Sequence, residues 1–448
     1  MRRKLIFTGI LFIIFAISLT WLSNRQKLNI VFIVIDSLRP DHLGCYGYLR
    51  PTSPTIDQLS KESILFTQAI SPSTVTLLSV PSILTSTLPT THMVYDWEAT
   101  LNPSLKTVAQ ILKEKGYRTA FFSNHGIVGK IKGLEKGFDV FLDEGELSSD
   151  KLTQRAIRWI EKKGKNPFFV YLHYMSVHVP YRPPPPYDQI FLKDALYKEE
   201  QEVPISEDER GKGKIPNFLA QKGITNPSYY VALYDGGIRY TDAQIARLLG
   251  WLKEKGFYKR TLILITADHG EFLGEHNLYF CHGEKPYDTV LRVPLIMRFP
   301  NLPPQKIERQ VSTLDIVPTI LEVLGINSPS MEGVSLLPLL QGKKNFLHPY
   351  IFSLSGNIPE KTGYSSVREE GWKLIHIKRP EGEDYQLFDL TQDPQEEKDV
   401  KNLRKDKYRE LKSILQNWER EVWRKFLSSP RVKGEEILKR LRGLGYLH

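Results

Sequence analysis

Residues 29–47 read NIVFIVIDSLRPDHLGCYG, an apolar and largely β-branched run that stops at Asp36. A run of this kind over Asn29–Ile35 predicts a strand that is buried on both faces. Four further runs share its character: Thr119–Phe122, Phe168–Leu172, Leu262–Thr266 and Leu295–Arg298. Their recurrence predicts one large sheet.

Amphipathic helical patterns lie between the predicted strands. Thr107–Lys115 and Ala156–Lys163 carry one each, and a third passes through Ile238, Ile245 and Leu252. Strands that alternate with helices predict an α/β fold with a mostly parallel central sheet flanked by helices. Ligands of such sheets bind at the carboxyl ends of the strands.

Polar residues of metal-binding or acid–base type follow three of these strands. Asp36 follows the first, His173 follows Phe168–Leu172, and Asp268 with His269 follows Leu262–Thr266. Because the carboxyl ends of parallel strands share one edge, the sequence predicts a single site at that edge.

The pattern changes near Gly342. Gly371–Ile377 and Tyr385–Leu390 predict short strands, and a helical pattern follows them. We interpret residues 25–342 as the catalytic domain, 343–404 as a smaller C-terminal antiparallel α+β subdomain and 405–448 as a basic helical tail. Within the catalytic domain, the Pro-rich and charged segment Tyr181–Lys214 predicts a long surface excursion that could cover the site as a lid.

Residues 1–24 carry a targeting signal. Three basic residues, Arg2 to Lys4, precede Leu5–Leu22, an almost charge-free run of 18 residues that is long enough to span a bilayer. The run lacks a clear small-residue cleavage pattern, which favours an uncleaved membrane anchor over a cleaved signal peptide. Its positive flank predicts an extracytoplasmic catalytic domain, although Arg25 and Lys27 weaken that orientation.

The net charge of +10 is concentrated at the carboxyl terminus. Residues 401–448 hold fourteen Lys and Arg against six Asp and Glu. We interpret this segment as a solvated helix, with adhesion to anionic lipid headgroups as the alternative. No nucleic-acid partner is predicted, because the basic residues are not interleaved with a recognisable reading motif. The two cysteines, Cys45 and Cys281, are too few for a disulfide framework.

Seven motifs occur in an order that resembles the sulfatase-like enzymes of the alkaline phosphatase superfamily. They are Ile35–Gly47; Phe66–Ala69 with Leu84, Thr85, Pro89 and His92; Thr266–Glu271; His282-Gly283 with Tyr287-Asp288 and Arg292–Leu295; Asp315–Thr319; Gly333–Leu340; and Leu387–Leu390 with Asp393-Pro394. The resemblance covers nearly the whole chain after residue 28. It implies the fold of that family and cleavage of a sulfate or phosphate ester at a divalent metal ion.

One divalent metal ion is predicted, with Mn, Mg, Ca and Zn as the candidates. Asp36, Asp268 and His269 offer the hard carboxylate oxygens and the imidazole that such an ion needs. The resemblance adds the oxygen of Thr76 as a ligand and places Ser37 where many sulfatases have a second Asp. No His in the chain has an Asp four residues before it, so the Asp-x-x-x-His pattern of two-metal phosphatases is absent.

The resemblance places Thr76 at the position of the nucleophile, counted back from Pro89 and His92. True sulfatases have a Cys or Ser there, as the first residue of a C-x-P-S-R motif. This residue is oxidised to formylglycine. Residues 76–80 read TLLSV, with no Cys, Pro or Arg at the corresponding places. A Thr resembles the phosphodiesterases and the phosphoglycerol and phosphoethanolamine transferases. The alternative for Thr76 is a helix N-cap, and both roles can hold at once.

Two histidines, His178 and His282, resemble the family's residues that contact the anion and the leaving group. Imidazole suits the protonation of a leaving oxygen near neutral pH, although a structural role is the alternative for each. We interpret the remaining candidates as structural: His42, His125 and His173. Lys285 lies close to the position of a sulfatase Lys but is out of register.

The preferred hypothesis is therefore cleavage or transfer of a phosphate (di)ester through a Thr nucleophile. The substrate would be an anionic ester, and both a lipid headgroup and a glycan remain open. One alternative is a sulfuric ester hydrolase without formylglycine. The other is a catalytically degenerate, membrane-tethered binding protein.

Overall fold

The computed structural model describes residues 27–95, 99–162, 166–194, 202–206, 212–220, 223–356 and 363–428. The predicted anchor in residues 1–24 lies outside the described residues, as do residues 429–448 of the predicted tail. Among the described residues, no helix combines the length and the hydropathy that a membrane span requires.

Eight strands form the central sheet: β1 (Asn29–Ile35), β2 (Ile64–Ile70), β3 (Arg118–Ser123), β4 (Val140–Asp143), β5 (Phe168–Tyr174), β6 (Thr261–Thr266), β9 (Arg292–Arg298) and β10 (Gln305–Ser312). Their spatial order is β10-β2-β9-β6-β1-β5-β3-β4. Strand β9 runs antiparallel to β2 and β6, and the other neighbours are parallel. A separate ribbon pairs β7 (Phe272–Leu273) with β8 (Tyr279–Cys281).

Nine helices belong to the described part of the catalytic domain, besides short 3₁₀ turns. They are α1 (Pro54–Ser60), α2 (Thr76–Thr85), α3 (Pro89–His92), α4 (Val108–Glu114), α5 (Ser149–Lys162), α6 (Pro227–Glu254), α7 (Asp288–Leu291), α8 (Ile316–Val323) and α9 (Leu337–Leu340). Every residue of β1 is buried, so both faces of the sheet are covered at its centre. The predicted α/β fold with a mostly parallel, helix-flanked sheet is confirmed.

The carboxyl-terminal subdomain is a four-stranded antiparallel sheet in sequential order. Its strands are β11 (Ile351–Gly356), β12 (Gly363–Glu369), β13 (Trp372–Arg379) and β14 (Gly382–Asp389). Helix α10 (Lys405–Ser428) buries Leu411 and Leu415 against Leu374 and Leu387 of this sheet. The described part of the predicted tail is thus packed on the subdomain.

The excursion after β5 holds no helix or strand in its described segments 181–194, 202–206 and 212–220. Isolated bridges join Ile205 to Ile215 and Lys212 to Leu278. The second bridge ties the excursion to the residue before β8. Its role as a lid stays a prediction.

Candidate metal and catalytic site

Three adjacent strands, β6, β1 and β5, deliver polar side chains to one edge of the sheet. Asp36 follows β1, His173 lies near the end of β5, and Asp268 with His269 follows β6. All four side chains are fully buried. The edge of a parallel sheet therefore holds a compact group of charged and ionisable residues.

Asp36, Asp268 and His269 each place a ligand atom within 4.8 Å of the others. Nδ1 of His269 donates to the carbonyl of Gly270 at 2.9 Å, so the Nε2 lone pair faces the two carboxylates, 3.5 and 3.7 Å away. Oδ1 of Asp268 is buried and has no hydrogen-bond partner among the described residues. A buried, unpartnered carboxylate oxygen beside a second carboxylate and an imidazole fits a divalent cation.

Thr76 begins helix α2, and its hydroxyl lies against this group. Oγ1 is 3.0 Å from Nε2 of His269 and 3.2 Å from Oδ2 of Asp36. Val75 occupies the N-cap position, and no side-chain capping bond is present there. The Thr76 hydroxyl is therefore directed at the metal-type group, and the N-cap alternative does not apply to it.

Hydroxyl groups also lie against the two carboxylates. Ser37 donates to Oδ1 of Asp36 at 3.1 Å. Oγ of Ser79 donates to the carbonyl of Val75 at 3.0 Å and lies 3.4 Å from Oδ2 of Asp268. Val80, at the place of the sulfatase Arg, is fully buried. Ser37 and Val80 are therefore neutral at two positions where the resemblance implies a charged side chain, an Asp and an Arg.

His282 is paired with a carboxylate to which the sequence analysis gave no role. Its Nδ1 lies 3.1 Å from Oε1 of Glu271, which is fully buried. Burial would lower the pKa of His282, but the charge and the hydrogen bond of Glu271 raise it above its ordinary value. Glu271 therefore holds the Nδ1 proton of His282 and favours its imidazolium form, in which Nε2 also bears a proton.

His178 completes a row of three imidazoles. Its ring centre lies 4.9 Å from that of His282, which in turn lies 4.4 Å from that of His269. Nδ1 of His178 donates to the carbonyl of Val179 at 2.5 Å. Burial holds the pKa of His178 below its ordinary value. Burial therefore weakens the imidazolium form of His178 relative to that of an exposed histidine.

His173, interpreted above as structural, contacts the predicted metal ligand Asp36. Its Nε2 donates to Oδ2 of Asp36 at 3.0 Å. Burial would lower the pKa of His173, but the bond to Asp36 raises it. Burial would raise the pKa of Asp36, but the charge of His178 and the bond from His173 hold it well below its usual range. His173 therefore supports a predicted metal ligand, which is compatible with a structural role, and its place at a strand end was the available signal for this contact.

The other candidates lie beside the site or away from it. The ring centre of His125 lies 5.9 Å from that of His173 and 6.5 Å from that of His178. His42 contacts Asp235 at 2.7 Å, in agreement with a structural role. Nζ of Lys285 donates to Gln386 of the subdomain at 3.2 Å.

This fold and site define an ester hydrolase of the alkaline phosphatase-like superfamily. The sequence profile of the family described as Sulfatase matches residues 28–326, and that of the N-sulphoglucosamine sulphohydrolase C-terminal region matches residues 274–424. The chain belongs to the sulfatase family. The convergence of ionisable groups around Thr76 argues against a degenerate binding protein.

Curated relatives cover most of the chain. An N-acetylglucosamine-6-O-sulfatase of Bacteroides thetaiotaomicron is 24% identical, over 91% of this chain and 89% of the relative. The human iduronate 2-sulfatase is 28% identical, over 83% of this chain and 76% of the relative.

Solved structures share the fold. A protein in complex with its substrate D-glucosamine-2-N,6-O-disulfate superposes with a TM-score of 0.74 at 20% identity, covering 92% of this chain and all of the other. The phosphonate monoester hydrolase of Agrobacterium radiobacter superposes with a TM-score of 0.69 at 21% identity, covering 86% and 95%.

Proposed function

We propose that this chain hydrolyses a phosphate ester, a diester in the first instance, through a covalent phosphothreonine at Thr76. The observation that carries the proposal is the Thr76 hydroxyl, 3.0 Å from Nε2 of His269 and 3.2 Å from Oδ2 of Asp36. Asp36, Asp268 and His269 would hold the divalent ion. Such an ion supplies positive charge that offsets the charge on the transferring oxygens and lowers the pKa of a hydroxyl.

The reaction proceeds by two displacements at phosphorus. Thr76 enters as the alkoxide, its proton having passed to water, and Oγ1 forms a bond to phosphorus. The bond to the leaving oxygen breaks, and Nε2 of His282 gives its proton to that oxygen. A water molecule then attacks phosphorus and gives a proton to His282. The bond to Oγ1 breaks, which releases the phosphate product and restores the alkoxide.

The chemistry of Thr76 favours phosphate over sulfate. A formylglycine hydrate releases sulfate by elimination from a geminal diol, and an ordinary alcohol has no such route. A sulfate ester of Thr76 would need a second displacement by water, which is slow. A phosphothreonine can be displaced by water at the same site in a double-displacement scheme.

A sulfate ester is the second candidate, because the relatives named above favour it. They include an N-acetylglucosamine-6-O-sulfatase and an iduronate 2-sulfatase. A phosphonate monoester hydrolase shares the fold at lower identity. A direct comparison of matched phosphate and sulfate esters separates the two candidates.

In the experiment, the protein is incubated with bis(4-nitrophenyl) phosphate and the reaction is quenched. Intact-mass analysis and peptide mapping then locate any adduct. A His282→Ala background slows the breakdown of the adduct. The adduct still forms in this variant, because the 4-nitrophenolate group of the substrate leaves without a proton from an acid. We expect a 4-nitrophenyl phosphoryl adduct on the peptide that contains Thr76, and loss of adduct and turnover in Thr76→Ala. Thr85→Val, at the far end of α2, is the matched control.

Two results would contradict the proposal. One is near-normal turnover by Thr76→Ala. The other is much faster turnover of aryl sulfates than of every phosphate ester tried, which would favour the sulfatase candidate.

A cavity of about 520 Å³ adjoins the loop that carries His178. Ser176 and Pro180 of that loop line it, together with Asp150, Arg182 and Tyr187. Charged, hydroxyl and aromatic groups suit a hydroxylated leaving group such as a sugar better than an acyl chain. We expect Arg182→Ala to raise KM for a hexose 6-ester while leaving KM for the 4-nitrophenyl ester unchanged.

The membrane anchor in Leu5–Leu22 and the extracytoplasmic location belong to the same proposal. The support is the sequence of that run, since it lies outside the described residues. Full-length protein should sediment with membranes and keep Met1. A soluble form that begins near Asn24 would show cleavage instead.

A further inference from the structure

Strand β11 of the subdomain lies alongside the segment that leads to the nucleophile. One side of β11 pairs with β12. On the other side, the backbone N–H of Leu354 donates to the carbonyl of Pro72 at 2.9 Å, and Leu354 forms a parallel bridge with Ser73. Residues 71–74 therefore run between the central sheet and the subdomain before the chain reaches Thr76.

Two buried serines extend this contact to the metal-type group. Oγ of Ser353 donates to the carbonyl of Ser71 at 2.8 Å. Oγ of Ser71 lies 2.5 Å from the carbonyl of Asp268. A continuous set of hydrogen bonds thus joins β11 to the backbone of a predicted metal ligand.

A third serine, Ser355, joins two parts of the site directly. Its Oγ lies 2.6 Å from the carbonyl of Glu284 and 3.1 Å from that of Gly283. Because its single proton goes to these carbonyls, the Thr74 hydroxyl donates to Ser355, at 2.5 Å. Thr74 precedes Thr76 by two residues, and Gly283 directly follows His282.

We propose that Ser355 is a positioning residue that sets the separation between the nucleophile Thr76 and the acid His282. The role in catalysis rests on the proposed function. Ser355 and Thr74 are fully buried, so no water replaces a lost bond without rearrangement. Small displacements of reacting groups slow a reaction strongly. A subdomain strand that bonds the segments carrying Thr76 and His282 prevents such displacements.

The test compares Ser355→Ala with Ser365→Ala. Ser365 is a buried serine of β12 whose hydroxyl donates to Glu419 of helix α10, so its loss also removes one hydrogen bond from the subdomain. We expect Ser355→Ala to lower kcat about tenfold, with a smaller change in KM, and Ser365→Ala to keep kcat. Thr74→Val should have the same effect as Ser355→Ala, and the double variant should lose no more than either.

Hydrogen–deuterium exchange provides a readout that does not depend on turnover. In Ser355→Ala, the amides of residues 74–78 and 282–285 should exchange faster than in wild type, and in Ser365→Ala they should not. Unchanged exchange in both segments, or equal kcat in the two Ala variants, would overturn the inference. Absence of turnover of every ester by wild type would overturn the proposed function, while exchange would still decide the role of Ser355.

Discussion

Nε2 of His173 donates a hydrogen bond to Oδ2 of Asp36 across 3.0 Å, and both side chains are fully buried. The same oxygen lies 3.2 Å from Oγ1 of Thr76. One carboxylate oxygen therefore connects the imidazole of His173 with the proposed nucleophile. Donors behind a metal ligand fix its orientation and tune the affinity of the site.

Removal of this donor should weaken metal binding. We expect His173→Leu to lower the affinity for Mg²⁺ and Mn²⁺ by about 10- to 100-fold, because Asp36 loses the group that orients it. His173→Gln keeps an N–H donor and should keep most of the affinity. Isothermal titration of chelator-treated protein measures both.

A matched control is His42→Leu, which breaks a buried pair with Asp235 in which no member of the ligand group takes part. It should leave metal affinity unchanged. Equal affinities of wild type and His173→Leu would contradict the assignment.

Loss of a ligand carboxylate should weaken metal binding more than loss of the histidine that orients Asp36. In Asp268→Asn, the unpartnered oxygen Oδ1 can no longer contribute a full negative charge. We expect no stoichiometric metal by elemental analysis, loss of turnover and an unchanged circular dichroism spectrum. Full metal occupancy in this variant would rule out Asp268 as a ligand.

Sequence patterns predicted the centre of the sheet well and its margins poorly. Strands β1, β5 and β6 are buried at every residue, so each reads as a continuous apolar run. Strand β10 is an edge strand with exposed charged residues such as Lys306 and Glu308, and it carries no such run. An edge strand needs polar residues because one side meets solvent, and this removes the signal that identifies it.

The ligand group could be predicted because each member lies within three residues of the end of a predicted strand. Asp36, Asp268 and His269 meet for that reason alone. The contacts made by Ser355 could not be predicted, because they depend on how the subdomain docks on the catalytic domain. Ser355 lies 281 residues from Thr74 along the chain, and no local pattern reports that distance.

Asp242 should make stability depend on pH. Its Oδ1 accepts hydrogen bonds from the backbone N–H groups of Thr55 and Ile56, in the first turn of α1, at 3.0 and 2.9 Å. Burial outweighs these bonds and raises the pKa of Asp242 to about 6. Because the folded state holds this proton more tightly than the unfolded state, its contribution to stability is full below about pH 4 and is lost as pH rises through 6.

Asp242→Asn removes this titration and keeps an acceptor oxygen. Between pH 4 and pH 7, the free energy of unfolding of the variant should rise relative to wild type by up to about 3 kcal/mol. Urea unfolding at each pH measures the difference. Asp242→Ala lacks the acceptor and should be less stable than Asp242→Asn at every pH. A pH-independent difference in stability between Asp242→Asn and wild type would show that Asp242 does not titrate in this range.

The pair of Glu271 and His282 should make turnover depend on the leaving group. Glu271 holds Nδ1 of His282 at 3.1 Å, which directs Nε2 towards the leaving oxygen in the proposed reaction. An alkoxide leaves slowly without a proton, whereas 4-nitrophenolate leaves readily. His282→Ala should therefore lower kcat/KM by about 10² to 10⁴ for an alkyl ester and only a few-fold for the 4-nitrophenyl ester.

Glu271→Gln separates orientation from charge, because its amide oxygen can still accept from Nδ1 of His282 but does not stabilise the imidazolium. We expect an intermediate loss that again grows with the pKa of the leaving alcohol. His348→Gln provides the control, since His348 forms a comparable pair with Asp315, at 2.7 Å, that the proposed mechanism does not use. Its kcat/KM should match wild type for every ester. A loss in Glu271→Gln of the same size for alkyl and aryl esters would mean that Glu271 only supports the fold, and that the proton reaches the leaving oxygen from another group.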